Sequence, residues 1–187
     1  MRLFFAIELG DALLDALELE TAALRAKVPD LAWTTREKRH LTLKFLGDVS
    51  AEAAPRLVDA VDRVAAATRP IGMIVREVGA FPNFRRARVV WIGVEQDPRL
   101  ELLHHDLESA CEDVGFEVEG RPFRPHITLA RVRTPLVVER ARALARAARS
   151  VRLQVVEQVN RITLYESTLA PSGAHYRRVH VATLGGR

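Results

Sequence analysis

Strand-length apolar runs and helical stretches alternate along this chain. Residues 2–8 (RLFFAIE) and 88–95 (RVVWIGVE) are apolar, aromatic and β-branched, the pattern of buried strands. A helical stretch follows each. In the first, Asp11 takes the cap position and Leu13, Leu14, Leu17 and Leu24 supply the apolar face. In the second, Asp97 caps a helix with Pro98 at its first position, and Leu100, Leu103, Leu107, Cys111 and Val114 keep helical spacing up to Gly115. Later helices are expected after Ser50, with Leu57, Ala60, Val61 and Val64 on one face, and after Thr134-Pro135, with Val137, Val138, Ala141, Leu144 and Ala145. β-Branched content and alternation predict further strands near 70–80, 151–157, 160–168 and 176–183. The stretch GAFPNFRRAR at 79–88 reads as a turn or loop within one domain.

The pattern repeats. Moving the chain by 86 residues lays His40 on His126 and Thr42 on Thr128, so that HLTL meets HITL. The same offset lays Arg2, Leu3 and Phe5 on Arg88, Val89 and Trp91, and Asp11, Leu14 and Leu17 on Asp97, Leu100 and Leu103. One four-residue match is a loose pattern, whereas a shared offset that also aligns a strand and a helix start indicates duplication. Each half reads strand, helix, motif strand, helix, strand. The fold expected is therefore α+β and bilobal: one domain over 1–187, with a first repeat starting near 2 and a second near 88. Two pseudo-twofold related β-sheets would face a central cleft, with helices packed outside.

Strand alternation then divides the motif chemically. His40, Thr42 and Lys44 are expected on one face and Leu41, Leu43 and Phe45 on the other, and His126, Thr128 and Ala130 opposite Ile127 and Leu129. An imidazole titrates near neutrality, so one copy can accept a proton while the other donates one, and a Thr two positions along can bind an anion. Two imidazoles and two hydroxyls around one point suit phosphodiester cleavage.

Composition narrows the setting without supplying the chemistry. The 187 residues carry 28 Lys and Arg against 24 Asp and Glu, and Lys stands only at 27, 38 and 44, so the basic balance is an arginine balance. Genome composition explains that as well as nucleic-acid binding does. The one cysteine, Cys111, excludes an intramolecular disulfide and a Cys₄ or Cys₂His₂ zinc site, and fits a reducing compartment. The opening apolar run meets Glu8 and Asp11 too early for a signal peptide, which leads us to expect a cytoplasmic protein. Neither motif carries a third metal ligand at a recognisable spacing, so no cofactor and no metal are expected. His104 and His105 are expected on the helix surface, and His175 and His180 in structural or incidental roles.

The sequence closely resembles the two-histidine (2H) phosphoesterases, and among them the bacterial and archaeal RNA 2′,3′-cyclic phosphodiesterases, also called 2′-5′ RNA ligases. The residues that carry the resemblance are RLFFAIEL at the start, HLTLKFLGDV at 40–49, GAFPNFRRARVVWIGVE at 79–95, RPFRPHITLAR at 121–131 and LYES at 164–167. The resemblance implies a bilobal fold with both motifs in a central cleft. It implies metal-independent hydrolysis of an RNA 2′,3′-cyclic phosphate end, or of a small cyclic nucleotide, to a 2′-phosphomonoester. His40 would correspond to the proton donor to the 3′ oxygen and His126 to the acceptor that activates water, while Thr42 and Thr128 would hold the phosphate. The two repeats are alike enough that the residues themselves leave the acid and base assignment open. Alternatives are 2′-5′ ligation at the same site, or a module that binds RNA ends without turnover. A monomer without membrane attachment is expected. Arg85, Arg86, Arg124 and Arg131 are candidate RNA contacts; by strand parity Arg131 reaches the cleft only if its strand ends or bulges. Phe84, Trp33, Tyr165 and Tyr176 could stack on a base, although core packing suits most of them better.

Overall fold

A computed structural model describes residues 1–171 and 173–185. The strands are β1 (Arg2–Glu8), β2 (Ala32–Trp33), β3 (His40–Asp48), β4 (Ile71–Phe81), β5 (Val89–Val94), β6 (His126–Arg131), β7 (Gln154–Val159), β8 (Arg161–Ala170) and β9 (Gly173–Thr183). The helices are α1 (Asp11–Lys27), α2 (Ala53–Ala67), α3 (Pro98–Glu112) and α4 (Val138–Ser150). The expected elements are therefore present. Asp97 accepts the Arg99 N–H at 2.8 Å and Pro98 opens α3, as the sequence indicates, whereas α1 is capped by Gly10 and Asp11 is its first helical residue.

The strand order is β7-β4-β5-β6-β3-β1-β8-β9, with β2 pairing on β6. The motif strands β3 and β6 lie at the centre, joined through the antiparallel pair Leu41 and Ile127. On either side of that junction four strands form one lobe, β3-β1-β8-β9 or β6-β5-β4-β7, so the two expected sheets are hydrogen bonded to one another. The lobes do not coincide with the chain halves: β4 joins β5 of the second repeat, and β8 and β9 return to β1 of the first. Hydrophobic pattern marks a strand but not its neighbour, which is why halves read in sequence order miss this exchange.

The helices cover one side of these strands, with α2 against β8 and β9, α3 against β3, and α4 against β4. Leu3, Phe5 and Ile7 of β1 and Leu41 of β3 are buried there with Leu13, Leu17, Leu57, Leu100, Leu103 and Leu107 from the helices. Each such side chain contributes about 1.5–3 kcal/mol by leaving water. That packing sets which strand face remains for the cleft.

The candidate active site

The register at the centre of the sheet arranges the four motif side chains. With Leu41 opposite Ile127, the antiparallel ladder sets His40 across from Thr128 and Thr42 across from His126. The two histidines thus occupy one diagonal and the two threonines the other, and all four are partly buried.

Both imidazoles are held in the same way. His40 Nδ1 lies 2.8 Å from the Lys38 carbonyl, and His126 Nδ1 lies 2.8 Å from the Arg124 carbonyl. A carbonyl only accepts, so each Nδ1 carries the hydrogen and Nε2 is left as the nitrogen that exchanges a proton. Aromatic walls differ between the two. Phe4, Tyr176 and Tyr165 surround His40 with ring centroids at 5.0, 5.3 and 6.4 Å, whereas Phe81 stands edge-on to His126 at 5.0 Å and Trp91 lies at 6.4 Å. Burial lowers both imidazoles, His40 to about 4, and the positive charge of Arg131 pushes both the same way. Both rings therefore favour the neutral form more than a free imidazole does.

Continuous alternation fails after each threonine. On β1 and β3, Ala6 pairs with Thr42 but Phe5 with Lys44; on β5 and β6, Trp91 pairs with Thr128 but Val90 with Ala130. Leu43 and Leu129 are the extra residues of two equivalent β-bulges, and each inverts the faces that follow. Lys44 therefore does not share the cleft face with His40 and Thr42 but is buried on the helix side, and Ala130 likewise turns inward. Phe45 and Arg131 take the cleft face and are exposed, and Phe45 lies 5.8 Å from the Phe4 ring. Arg131, which strand parity alone would turn away, reaches the cleft because of this bulge. The pairs Glu8 with His40 and Gly93 with His126 also show β1 and β5 related by 85 residues while the motif strands keep 86. Ala6, rather than Phe5, is thus the counterpart of Trp91.

This correspondence exposes an asymmetry. Glu8 receives hydrogen bonds from Tyr165 at 2.7 Å and Thr163 at 3.0 Å, and Arg178 grips both its oxygens at 2.7 and 2.9 Å. Burial would raise its carboxyl, but these donors and Arg161 hold it below its ordinary value, while burial and the bond to Glu8 push the Tyr165 phenol up to about 12. In the other lobe Gly93 stands in place of Glu8, and Gly79 pairs with Trp91. A Cβ at Gly79 would come within 2.2 Å of the indole ring, and one at Gly93 within 3.2 Å. The two glycines therefore form a shelf on which Trp91 lies against the His126 side. Gly79→Ala is expected to lift the indole, cost about 1–3 kcal/mol by overpacking and lower turnover. Urea unfolding and the emission of Trp91 in a Trp33→Phe background measure these effects.

Two cavities open on His126. The larger, about 1210 Å³, runs from Thr42 and His126 past Phe45 and Arg88 to the segment 115–124. The smaller, about 690 Å³, is bounded by Phe81, Trp91, Arg76 and Glu95. Arg124 borders both. The larger exceeds the few hundred to about 1,000 Å³ usual for small-molecule sites.

Other sequence candidates fall elsewhere. Arg85 and Arg86 form an exposed turn between β4 and β5. Phe84 packs against the core, and Trp33 donates its indole N–H to the Val28 carbonyl. His180 bridges β9 to α2 through Asp62 at 2.7 Å. His105 is exposed as expected, but His104 is not a surface residue: its side chain is 14% exposed and stacks on Phe123, with ring centroids 3.9 Å apart. Burial pushes the Cys111 thiol up to about 12, which makes it a packing residue. Among the described residues, no three His, Cys, Asp or Glu side chains gather as a metal-ligand set, and no helix is long and apolar enough to cross a membrane.

Comparison with known proteins bears on this arrangement. The family model described as the 2′-5′ RNA ligase superfamily matches residues 13–169. An RNA 2′,3′-cyclic phosphodiesterase of Methanothermobacter thermautotrophicus is 30% identical over 184 residues, 98% of this chain and 99% of that protein. One of Geobacillus stearothermophilus is 31% identical over 89% of this chain, which spans about half of that longer protein, 52%. Among solved structures, a Thermus thermophilus protein superposes with a TM-score of 0.82 at 28% identity over 100% of both chains. Escherichia coli LigT complexed with 3′-AMP superposes with a TM-score of 0.73 at 29% identity, over 98% of this chain and 97% of that one.

Proposed function

This chain belongs to the 2′-5′ RNA ligase superfamily, and from that premise we propose that it hydrolyses RNA 2′,3′-cyclic phosphate ends, or small 2′,3′-cyclic nucleotides, to 2′-phosphomonoesters. The observation that carries this reading is the diagonal pair of imidazoles, each with Nδ1 bound to a carbonyl and Nε2 left to exchange a proton.

The cyclic phosphate sits over the crossing of β3 and β6. Thr42 and Thr128 donate hydrogen bonds to its non-bridging oxygens, and Arg131, on the same face, offsets their charge. His126 Nε2 takes a proton from water as the water oxygen bonds to phosphorus. The bond from phosphorus to O3′ breaks, and protonated His40 gives its Nε2 proton to that oxygen. The products are a 2′-phosphate and a free 3′-hydroxyl, and the assignment of acid and base follows the family resemblance. Phe45, exposed beside Phe4, offers a face for the base. The 187-residue chain works as one domain and as a monomer, in the cytoplasm, without a membrane or a cofactor.

Hydrolysis and ligation are separated by the fate of water. In H₂¹⁸O, one labelled oxygen is expected in the 2′-phosphate of every turnover. A 2′-5′ linkage without label would instead support ligation, in which a 5′-hydroxyl takes the place of water, as the principal activity.

The lowered imidazoles make a second expectation. One ring must be protonated and the other neutral, and both start below their ordinary value, so kcat/KM should be highest on the acid side of pH 6.5. A bound phosphate favours the imidazolium, so both limbs of the kcat profile should move to higher pH than those of kcat/KM. A kcat profile displaced to lower pH would contradict this coupling.

A further inference from the structure

The bulge at Leu43 turns Lys44 off the face that His40 and Thr42 share and buries it where, with Glu108 and His104, it lines the larger cavity. Its Nζ lies 2.6 Å from Glu108 Oε2 on α3, with the two side chains 4% and 5% exposed. Lys44 also donates to the Glu117 carbonyl at 2.8 Å, and the same Glu108 oxygen accepts the Glu119 N–H at 3.0 Å. One turn earlier on α3, His104 stacks on Phe123. These contacts all hold one stretch, 116–125, which has neither helix nor strand of its own. That stretch ends at Arg124, whose carbonyl takes the His126 Nδ1 hydrogen, and Pro125, whose carbonyl accepts from Val94 at 3.1 Å.

We propose that Lys44 and Glu108 are positioning residues for His126: the strand of the first motif reaches beneath the sheet and holds the segment that orients the imidazole of the second. This rests on the proposed role of His126 in proton transfer. The first histidine is anchored differently. The turn carrying the Lys38 carbonyl is tied to α1 by Arg36, at 2.6 Å from Asp15 and 2.9 Å from Asp11, and by buried Arg39, at 2.7 Å from Glu18. Ala130, the counterpart of Lys44, has only a methyl group and cannot reach an acid on a helix. The coupling therefore runs from the first motif to the second, and His40 serves as an internal control.

A purely structural ion pair and a positioning one separate in the variant Lys44→Met/Glu108→Leu. It leaves no unpaired buried charge, and an apolar replacement of a buried pair is often neutral for stability, yet the Glu117 carbonyl and the Glu119 N–H then lose their side-chain partners. The expected result is a melting temperature close to that of the parent, with kcat for 2′,3′-cyclic AMP lowered about 10- to 100-fold and KM little changed. In ¹⁵N-detected NMR the His126 ring should lose its single Nδ1–H tautomer while His40 keeps it. Glu119→Pro removes the N–H that Glu108 accepts without touching the ion pair, and should give the same two changes at smaller amplitude even if the double variant does not fold. A folded variant of either kind with parental kcat and an unchanged His126 tautomer would overturn the proposal. Full activity in His126→Ala would instead overturn the catalytic reading on which it rests.

Discussion

His126→Ala is expected to lower kcat on a 2′,3′-cyclic nucleotide by about 10²–10⁴-fold, and His40→Ala by a similar factor. The two histidines lie diagonally across the β3 and β6 junction, and each Nδ1 is already committed to a carbonyl, so neither ring can stand in for the other. A loss of 10³ corresponds to about 4 kcal/mol of transition-state stabilisation. The double variant should be little worse than the poorer single one, because acid and base act in one displacement and removing either stops it. Stability should fall by about 1–3 kcal/mol in either case, since each ring packs against aromatic neighbours and its loss leaves a carbonyl without its donor. Steady-state kinetics beside a thermal melt measures both. A folded His126→Ala protein with undiminished kcat would remove this residue from the mechanism.

Lys44→Met should destabilise the protein strongly. The change deletes one partner of a pair whose side chains are 4% and 5% exposed, and leaves the Glu108 carboxyl buried without its ammonium partner. The His104 imidazole, 3.7 Å from the other Glu108 oxygen, is itself lowered by burial and is a poor substitute for the ammonium. Breaking a buried pair costs about 3–5 kcal/mol. For a chain of this length that is a fall in Tm of roughly 6–20 °C. Adding Glu108→Leu should recover most of it, because the unpartnered carboxyl is then gone. Chemical denaturation of the two variants gives the comparison; a double variant no more stable than Lys44→Met would contradict the charge argument.

Sequence periodicity revealed most elements of this fold, because buried strands and one-sided helices each leave a hydrophobic period. The two motifs stood out because they recur at one offset, and the register at Leu41 and Ile127 brings them together. The strand exchange between lobes left no trace, since β4 and β8 look alike as patterns whichever β-strand they pair with. The bulges were equally hidden. A strict period of two assigns Lys44 to the cleft and Phe45 to the core, and a single extra residue at Leu43 reverses both. A partial signal was present: a Lys in a strand whose continuation is apolar needs either solvent or a buried acid, and only the fold shows Glu108 arriving from α3. Glu8 and the pair Gly79 and Gly93 were missed for a related reason, because their meaning lies in what stands across from them on other strands.

The most direct test is hydrolysis of 2′,3′-cyclic AMP by the intact protein in excess chelator, with the product phosphate assigned to the 2′ or 3′ oxygen. Transfer of a proton to O3′ from His40 and activation of water by His126 predict undiminished turnover and 2′-AMP as the sole product. Loss of activity that returns with added metal, or formation of 3′-AMP, would contradict the two-histidine mechanism.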